Sequence, residues 1–483
     1  MPQRDETQRL HHYINGAWRE GALNLESLNP SDTRDIVARA PSDDGAAMGE
    51  AIEAASAAFP AWSEASPEVR SDVLDRVGAA LLARKDEFGA LLSREEGKTQ
   101  PEGVGEVARA GRIFKFFAGE ALRRTGLTVD STRPGVEAAT YREPVGVFGL
   151  ITPWNFPIAI PAWKTAPALA FGNTVVLKPA SITPALAAVM ATLIHEAGAP
   201  KGVFNLVFGG GAAGTKLVED TRVAGISFTG SQGVGEGIAE KAVKRQAKVQ
   251  LEMGGKNPLV VLDDADLDLA VAGALDGAFF ASGQRCTASS RIIVTEAIHD
   301  RFVEALSQRI GTLKVGDSRD PETQIGPVAS EPQLETSLSY IEIAAKEGAR
   351  RVIGGEALQR DKPGFYFAPA LLAETKLDMR VNSEEIFGPI ASVMRVKTYD
   401  EALAAANTGQ FGLSAGIYTT SPKYARHYTR HVRAGMVMVN LPTAGVDYHV
   451  PFGGTRKSSY GPKEQGPAAV EFYTQTKISY VRP

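Results

Sequence analysis

Cysteine and histidine are scarce in this sequence, which has one cysteine, Cys286, and seven histidines among 483 residues. A single cysteine excludes an internal disulfide framework and any zinc site built from several thiolates. No apolar run approaches the roughly 18 residues that a membrane-spanning helix needs, and the polar first six residues lack the apolar stretch of a secretory signal. We therefore expect a cytoplasmic protein with no membrane partner and no catalytic metal.

An excess of charge of either sign is also lacking, since 52 Lys and Arg residues face 56 Asp and Glu residues and the formal net charge is −4. A slightly negative net charge does not attract the phosphate backbone of nucleic acid, so we expect no nucleic-acid partner. The chain has the composition of a globular protein, with 43% hydrophobic and 22% charged residues. At roughly 100–200 residues per domain, its length predicts two to four domains.

The hydrophobic pattern changes along the chain. Residues 1–120 are predicted to be mostly helical, and short apolar strands are predicted at 145–150, 174–177, 203–207, 224–228 and 248–252. Helix-length segments separate these strands, at 161–171, 184–197, 212–219 and 233–245. This alternation is typical of a parallel doubly wound sheet, which binds ligands beyond the carboxyl ends of its strands. A second α/β stretch is predicted from about Gly254 to about Phe452.

Cys286 is the first candidate for chemistry, in the segment GQRCT beside Arg285. A lone cysteine is more often an inert buried residue than a nucleophile. A catalytic thiol needs donors or positive charge that stabilise its thiolate, and Arg285 and Thr287 satisfy that need without proving it. From the residues alone, both interpretations remain open.

Three further segments carry polar groups at predicted strand ends. Glu252 is either a solvated carboxylate or a general base that activates water. Asn155, in TPWNFP, either caps a turn or donates its amide to a developing oxyanion. The segment FTGSQGVG, residues 228–235, is either an ordinary turn or a phosphate site at a helix N-terminus.

Taken together, the segments TPWNFP, KPAS, FTGSQGVG, LEMGGKNP, GQRC and EEIFGP resemble the aldehyde dehydrogenase superfamily in their order and spacing. The resemblance covers nearly the whole chain. It implies an α/β aldehyde dehydrogenase fold with two doubly wound α/β domains and a small β oligomerisation element. The implied bounds are 1–120 and 145–253 for a Rossmann-like NAD(P)-binding domain, 254–455 for the catalytic domain, and 121–144 and 468–483 for the oligomerisation element.

The resemblance also implies a role for each catalytic candidate. Cys286 would attack the aldehyde to form a thiohemiacetal, while Asn155 and the backbone N–H of Cys286 hold the oxyanion. Hydride transfer to a nicotinamide would leave a thioester on Cys286. Glu252 would then activate the water that hydrolyses the thioester to a carboxylic acid. The presence of all three residues argues against the remote alternative, a non-catalytic binding protein on the same fold.

A second group of residues is implied to hold the cofactor. It comprises Trp154, Lys178, Ser181, Gly230, Ser231, Met253, Glu385 and Phe387. Family members with Glu at the position of Ser181 bond the ribose hydroxyls of NAD, and that carboxylate repels a 2′-phosphate. Serine removes the repulsion and its hydroxyl can bind the phosphate, so NADP or dual use is favoured over strict use of NAD.

A third group matches the substrate tunnel of the family. It comprises Phe156, Ile160, Trp163, Arg285, Thr287, Val446 and Phe452. Arg285 could pair with a carboxylate at the far end of a semialdehyde. Residues 443–454 and 458–462 are similar to a subgroup that oxidises α-ketoglutaric semialdehyde (2,5-dioxopentanoate) to 2-oxoglutarate. Succinic semialdehyde, or a broad range of aliphatic and aromatic aldehydes, is the alternative.

The last residues of the chain alternate in the period-2 pattern of a strand. By the resemblance, the tail 472–481 and residues 126–144 form the oligomerisation element. A terminal strand with unpaired backbone groups is a liability unless another strand covers it. We therefore expect a homo-oligomer, a dimer or tetramer, in which the tail pairs with a neighbouring subunit's sheet.

Overall fold

Residues 7–43, 45–123 and 125–483 are described by a computed structural model. In the described part of residues 7–123, the chain forms five strands and then four helices. The strands are β1 (Gln8–Arg9), β2 (His12–Ile14), β3 (Ala17–Arg19), β4 (Leu23–Asn29) and β5 (Asp32–Pro41). The helices are α1 (Ala46–Glu64), α2 (Pro67–Ala83), α3 (Lys85–Glu96) and α4 (Gln100–Ala121).

The helical prediction for residues 1–120 is thus correct from residue 46 onward and wrong before it. Strand β4 alternates between exposed and less exposed positions, the period-2 pattern of a strand with one solvated face. Its many polar residues conceal this pattern in the sequence. The first six residues, on which the expectation of no secretory signal rests, lie outside the described residues.

Local signals explain where the helices begin and end. The backbone N–H of Thr99 donates to the Glu102 carboxylate at 3.0 Å, as in a capping box, and starts α4. Helix α3 ends at Gly97, whose φ of +95° is left-handed. Residues 97–99 therefore form a short connection between α3 and α4. Helix α4 lines the candidate site described below.

The central part of the chain alternates strands and helices. It contains β6 (Thr128–Asp130), β7 (Glu137–Pro144), β8 (Val147–Ile151), α5 (Ala159–Ala170), β9 (Thr174–Lys178), α6 (Ala185–Glu196), β10 (Phe204–Leu206), α7 (Gly211–Glu219), β11 (Val223–Thr229), α8 (Gln232–Lys244) and β12 (Lys248–Glu252). The five predicted strands of the first sheet correspond to β8 through β12, and the four predicted helices between them correspond to α5 through α8.

The last part continues the alternation. It contains β13 (Pro258–Val261), α9 (Leu267–Phe279), β14 (Arg291–Thr295), α10 (Glu296–Gly311), α11 (Glu331–Lys346), β15 (Arg350–Ile353), β16 (Ala370–Ala373), α12 (Arg380–Ser383), β17 (Ile390–Val396), α13 (Tyr399–Ala406), β18 (Ser414–Tyr418), α14 (Pro422–His431), β19 (Met436–Val439), β20 (Ser459–Tyr460), α15 (Ala469–Tyr473) and β21 (Thr474–Val481). The second predicted α/β stretch is confirmed.

Two large sheets organise these elements. The first has eight strands in the order β20-β12-β11-β8-β9-β10-β2-β3, with β12 through β10 parallel and antiparallel strands at both edges. The second has seven strands in the order β15-β16-β17-β14-β13-β18-β19, all parallel except β15. Strand β20 joins the first sheet from residues 459–460, which lie outside the domain bounds inferred from the sequence. The division into three units stays a prediction.

Each large sheet is covered on both faces. In β9, Val175 and Leu177 pack into one hydrophobic cluster, while Val176 packs into another on the opposite face. Successive side chains of a strand point to opposite faces, so a strand buried on both sides is apolar at every position. The same physical reason accounts for the continuous apolar run of β13, residues 258–261.

The tail forms a third, small sheet with the chain's own β7. Strand β21 pairs antiparallel with β7, from Thr474 opposite Pro144 to Val481 opposite Glu137, and β6 lies on the other side of β7. This edge of β21 is therefore paired within the chain itself. The expectation that the tail pairs with a neighbouring subunit's sheet is wrong for this edge. The opposite edge of β21 has no strand beside it among the described residues.

Two aromatic residues anchor the tail before β21 begins. Phe472 and Tyr473 are buried, and their rings lie 5.1 and 4.9 Å from that of Phe148 in β8. The Asn173 amide donates to the carbonyl of Tyr473 at 2.8 Å. The end of the chain is thus fastened to the first sheet.

Among the helices of residues 7–43, 45–123 and 125–483, none combines the length and the apolarity needed to cross a bilayer.

Candidate active site

The polar residues singled out at strand ends lie at one edge of the first sheet. Lys178 ends β9, Thr229 ends β11 and Glu252 ends β12, and the three strands are parallel. Asn155 follows β8 by four residues. Carboxyl ends of parallel strands meet at a common edge, which is where such sheets bind ligands.

A strained turn precedes the only cysteine. Ala281 and Ser282 have φ of +50° and +52°, in the left-handed region that residues with a Cβ rarely occupy. The Glu102 carboxylate accepts a hydrogen bond from the Ala281 N–H at 2.7 Å, and the Ser282 hydroxyl donates to the carbonyl of Gly326 at 2.8 Å. These bonds hold the turn that presents the following residues, including Cys286.

Asn257 fixes the other side of Cys286. Its amide donates to the carbonyls of Cys286 and Ala288, at 2.8 and 2.9 Å. Burial raises the pKa of the Cys286 thiol to about 12, with a further contribution from the negative charges of Glu385 and Glu252. The sulfur is therefore a thiol at neutral pH in this arrangement, and its activation requires a proton acceptor.

Asn155 lies against the same loop. Its buried side-chain amide donates to the carbonyl of Gln284 at 2.9 Å, two residues before Cys286. The Gln284 side chain in turn accepts the Ala329 N–H at 2.9 Å. A primary amide carries two N–H groups, so this contact leaves one for a ligand beside Cys286.

Glu252 is buried and faces away from the open part of the site. Its carboxylate accepts a hydrogen bond from the Ser459 hydroxyl, which itself accepts the Gly454 N–H at 2.6 Å. A Cβ added to Gly453 would lie 2.6 Å from its Oε1 atom. Burial, and then the charge of Glu464, raise the pKa of Glu252 well above its usual value. Both effects favour the protonated carboxyl group over the carboxylate in this resting arrangement.

A cavity of about 280 Å³ opens at Cys286. It brings together six of the seven predicted tunnel residues, which are Phe156, Trp163, Arg285, Thr287, Val446 and Phe452. The rings of Trp163 and Phe452 lie 5.5 Å apart and form an apolar wall. Ile160 does not line this cavity, because its side chain is only 1% exposed and packs in the core. The prediction for Ile160 therefore does not agree with its placement.

The first half of α4, together with Lys98 two residues before it, supplies charges that the sequence analysis missed. Lys98, Glu102, Glu106 and Arg109 all line the cavity. The Lys98 ammonium lies 2.8 Å from the Glu106 carboxylate and 3.7 Å from the centre of the Phe156 ring. Nothing in the local sequence indicates these contacts, although a charged residue at the buried position of Glu106 is unusual for a helix face that packs in a core.

On the other side of Cys286, Glu385 and Phe387 meet the glycines that follow β12. The Gly255 N–H donates to the Glu385 carboxylate at 2.8 Å, and a Cβ on Gly254 would lie 2.1 Å from the same carboxylate. Burial raises the pKa of Glu385 to about 7. Phe387 packs edge-on against Trp154, with ring centres 5.4 Å apart.

Lys178 and Ser181 converge on one backbone carbonyl. The Lys178 ammonium donates to the carbonyls of Pro179 and Gly209, at 3.0 and 2.9 Å, and the Ser181 hydroxyl donates to Gly209 at 3.3 Å. Burial lowers the pKa of Lys178 to about 8. A Cβ on Gly210 would meet nothing within 4 Å, so there is open space beside these donors.

The turn between β11 and α8 contains Gly230 and Ser231, with Ser231 directly before the helix. A Cβ at Gly233 would enter open space, whereas one at Gly235 would lie 2.5 Å from the sulfur of Met253. The Met253 side chain is thus buried beneath α8. The turn offers the open helix N-terminus that a phosphate requires.

Among the described residues, one cluster of metal-ligand type lies outside this site. Atoms of His299, Asp300 and Glu374 lie close together. The Arg395 guanidinium donates to both carboxylates, at 3.2 Å in the case of Glu374, so a cation already compensates these charges.

Comparison with known proteins assigns the chain to a family. The model of the aldehyde dehydrogenase family matches residues 18–479. An alpha-ketoglutaric semialdehyde dehydrogenase of Bacillus subtilis is 43% identical over 477 residues, which are 98% of this chain and 98% of that protein. An alpha-ketoglutarate semialdehyde dehydrogenase of Haloferax volcanii is 42% identical over 480 residues, 98% of this chain and 99% of that protein. This chain belongs to the aldehyde dehydrogenase family.

A solved structure shows the same fold. The NAD-dependent aldehyde dehydrogenase from Sinorhizobium meliloti superposes with a TM-score of 0.96 at 35% identity, covering 100% of this chain and 96% of that chain. The predicted aldehyde dehydrogenase fold is therefore confirmed. The protein is an oxidoreductase that acts on aldehydes.

Proposed function

We propose that this protein oxidises 2,5-dioxopentanoate to 2-oxoglutarate, using NADP or NAD. The observation that carries the proposal is the cavity, which joins the Cys286 thiol to the cationic side chains of Lys98, Arg109 and Arg285. A thiol and cations in one small cavity suit an aldehyde that bears a carboxylate. The near full-length similarity to two semialdehyde dehydrogenases supports the same substrate.

In the proposed mechanism, the Cys286 thiol passes its proton to solvent water, and the sulfur bonds to the aldehyde carbon as the carbonyl π electrons move to the oxygen. The free N–H of the Asn155 amide and the backbone N–H of Cys286 stabilise the oxygen, which becomes negative. When bound, NAD(P)⁺ supplies the hydride acceptor that converts the thiohemiacetal to a thioester. The thiolate serves as a nucleophile first and a leaving group later, so one sulfur carries both half-reactions.

Glu252 acts in the second half. Its ionised carboxylate takes a proton from water, the water oxygen bonds to the thioester carbon, and the carbon–sulfur bond breaks to release the acid. Because the carboxyl group is directed at Ser459 and Gly453, it must turn about its side-chain torsions to reach that water. In turning, the Glu252 carboxyl group gives up its hydrogen bond with the Ser459 hydroxyl.

The cofactor fits the residues on the opposite side of Cys286. Lys178, Ser181 and the open glycines of two helix N-termini are suited to a ribose phosphate and a pyrophosphate. Glu385, Trp154 and Phe387 would hold the nicotinamide half, with Met253 behind it. We propose NADP or dual use, because no carboxylate stands at position 181 to repel a 2′-phosphate. The similar Sinorhizobium meliloti enzyme is NAD-dependent, so the preference needs a direct test.

Replacing Ser181 by Glu is expected to shift the preference toward NAD. The new carboxylate repels a 2′-phosphate, and juxtaposed like charges cost several kcal/mol, so the NADP-to-NAD ratio of kcat/KM should fall by about tenfold or more. Ser181→Ala is the matched control, since it removes the hydroxyl without adding charge. If Ser181→Glu keeps the wild-type ratio, phosphate recognition lies elsewhere.

The substrate proposal is tested with a panel of aldehydes and both cofactors. We expect kcat/KM to be highest for 2,5-dioxopentanoate, lower for succinic semialdehyde and lowest for pentanal and benzaldehyde, which lack a carboxylate. A higher value for succinic semialdehyde would select that alternative, and equal values throughout would indicate broad specificity. A folded protein that binds cofactor and oxidises none of them would favour a non-catalytic role.

We also propose a homo-oligomer assembled through the small sheet, in agreement with the three-unit division of the chain. Several large apolar side chains on this sheet or directly before it are at least half exposed, namely Leu127, Val129, Tyr141, Ile478, Tyr480 and Val481. Exposed apolar groups gathered on one element are typical of an interaction surface. A second copy of the chain is the proposed partner for this sheet and for the free edge of β21.

Truncation after Thr474 tests this assembly. We expect removal of 475–483 to convert the oligomer to smaller species, because β21 is lost while Phe472 and Tyr473 still fill the core. Light scattering on the purified protein measures the mass. Ile478→Glu should have the same effect, whereas Gln475→Glu, at an exposed polar position, serves as control. An assembly of native mass in both disruptive variants would rule out this sheet as the interface.

A further inference from the structure

Three cationic side chains line the cavity at Cys286, and two of them are already engaged. Lys98 lies 2.8 Å from the Glu106 carboxylate and also donates to the Asn155 carbonyl. Arg285 lies between two carboxylates, 3.7 Å from Glu102 and 3.7 Å from Asp276. Their charges are therefore compensated by the protein itself.

Arg109 differs from both. One terminal nitrogen donates to the amide oxygen of Gln465 at 3.2 Å, and within the described ranges the guanidinium makes no ion pair. Its Nε atom is buried and has no hydrogen-bond partner. A buried N–H without a partner on a charged group is costly, and native proteins satisfy such groups with a protein, water or ligand acceptor.

The surroundings of Arg109 favour an anion. The guanidinium lies 5.7 Å from the centre of the Trp163 ring, which forms the apolar wall with Phe452. Burial lowers the pKa of Arg109, and the negative charges of Glu106 and Asp447, which form no ion pair with it, only partly oppose this shift. With Lys98, Arg109 and Arg285 facing Glu102 and Glu106, the cavity lining carries one more positive than negative charge. Arg109 is the one of these three cations that forms no ion pair within the described residues.

Building on the proposed function, we propose that Arg109, rather than Arg285, binds the carboxylate of the semialdehyde and determines selectivity for carboxylated aldehydes. The planar guanidinium presents N–H donors in a fork that matches a carboxylate, and no carboxylate of the described residues occupies that fork. When a neutral substrate is bound, such a site contains a buried charged donor that has no acceptor. The site therefore discriminates strongly against neutral substrates. Arg285, which the sequence pattern singled out, is held instead by Glu102 and Asp276.

The test compares Arg109→Met, Arg109→Lys and Arg285→Met. The measured quantity is the ratio of kcat/KM for 2,5-dioxopentanoate to that for pentanal, a neutral aldehyde of the same length. We expect Arg109→Met to lower this ratio by about 10- to 100-fold, mainly through a higher KM for the semialdehyde. Arg109→Lys keeps the positive charge but lacks the planar donor geometry of a guanidinium, so it should lower this ratio less than Arg109→Met does. Arg285→Met should lose less than Arg109→Met.

A second readout does not depend on turnover of the semialdehyde. The product 2-oxoglutarate should inhibit pentanal oxidation by the wild-type enzyme, and its inhibition constant should rise in both Arg109 variants. If Arg109→Met does not fold, Arg109→Lys still decides the matter through this constant. A merely structural role for Arg109 predicts equal losses with both aldehydes and an unchanged inhibition constant.

The failures of the two proposals differ. A wild-type enzyme that prefers pentanal refutes the substrate proposal and the role of Arg109 with it. A wild-type enzyme that prefers 2,5-dioxopentanoate, with that preference retained in Arg109→Met or lost mainly in Arg285→Met, refutes only the assignment to Arg109.

Discussion

Replacement of Cys286 by alanine is expected to abolish aldehyde oxidation, with kcat lowered by at least about 10⁴-fold. Without the sulfur no thiohemiacetal forms, and the remaining donors, the Asn155 amide and the backbone N–H at position 286, have no covalent adduct to stabilise. Steady-state formation of reduced cofactor measures the loss. Cofactor affinity, followed by fluorescence quenching, should stay close to that of the wild type.

Cys286→Ser is the matched variant. It keeps the shape and the backbone contacts to Asn257 while replacing the thiol by a far weaker nucleophile. Both variants should therefore be almost inactive and remain folded. Substantial turnover by folded Cys286→Ala would show that the reaction does not pass through the sulfur.

Replacement of Glu252 by glutamine is expected to separate the two half-reactions. Rapid mixing should show a burst of reduced cofactor that approaches one equivalent per active site, followed by a steady state slowed by roughly 10²- to 10⁴-fold. The thioester forms but lacks the base that activates water. If the burst itself disappears, Glu252 is needed earlier, for instance to take the proton of Cys286.

The pH profile provides the control for this prediction. The base acts in its ionised form, so deacylation by the wild type should rise with pH through the pKa of Glu252, which burial and Glu464 raise well above the usual value. This rise should be absent in Glu252→Gln. The Ser459 hydroxyl bonds the carboxylate and lowers that pKa, so Ser459→Ala should move the rise to higher pH. A shift to lower pH in Ser459→Ala would contradict the assignment.

The central strands were predictable because their signal is local. Residues 174–177 read TVVL, a largely apolar run between turn residues, and they appear as β9, which is one residue longer. A strand of a sheet covered on both faces is apolar at every position and leaves little ambiguity. The early strands were not predicted from the sequence. Strand β4, for example, carries Asn24, Glu26 and Ser27 among its leucines, because one of its faces is solvated.

The position of two site candidates, one for catalysis and one for cofactor binding, was predictable for a related reason. A residue that ends a parallel strand lies at the ligand-binding edge whatever the rest of the chain does, so Lys178 and Glu252 could be placed there in advance. The direction of a side chain does not follow from this rule. Glu252 faces Ser459, which belongs to β20, and that strand pairs with β12 across more than 200 residues of sequence.

The sequence by itself therefore indicated the family, the alternation of strands and helices and the candidate nucleophile, because these depend on short segments and their spacing. The tertiary structure alone decided which side chains share the cavity and which charges are compensated. Ile160 is three residues from Trp163 on the same helix, yet only Trp163 reaches the cavity. Arg109 comes from a helix far from Cys286 in sequence, and no local pattern predicts that Lys98 and Arg285 find carboxylates while Arg109 does not. Charge compensation depends on distances across the fold, and only the packed structure sets those distances.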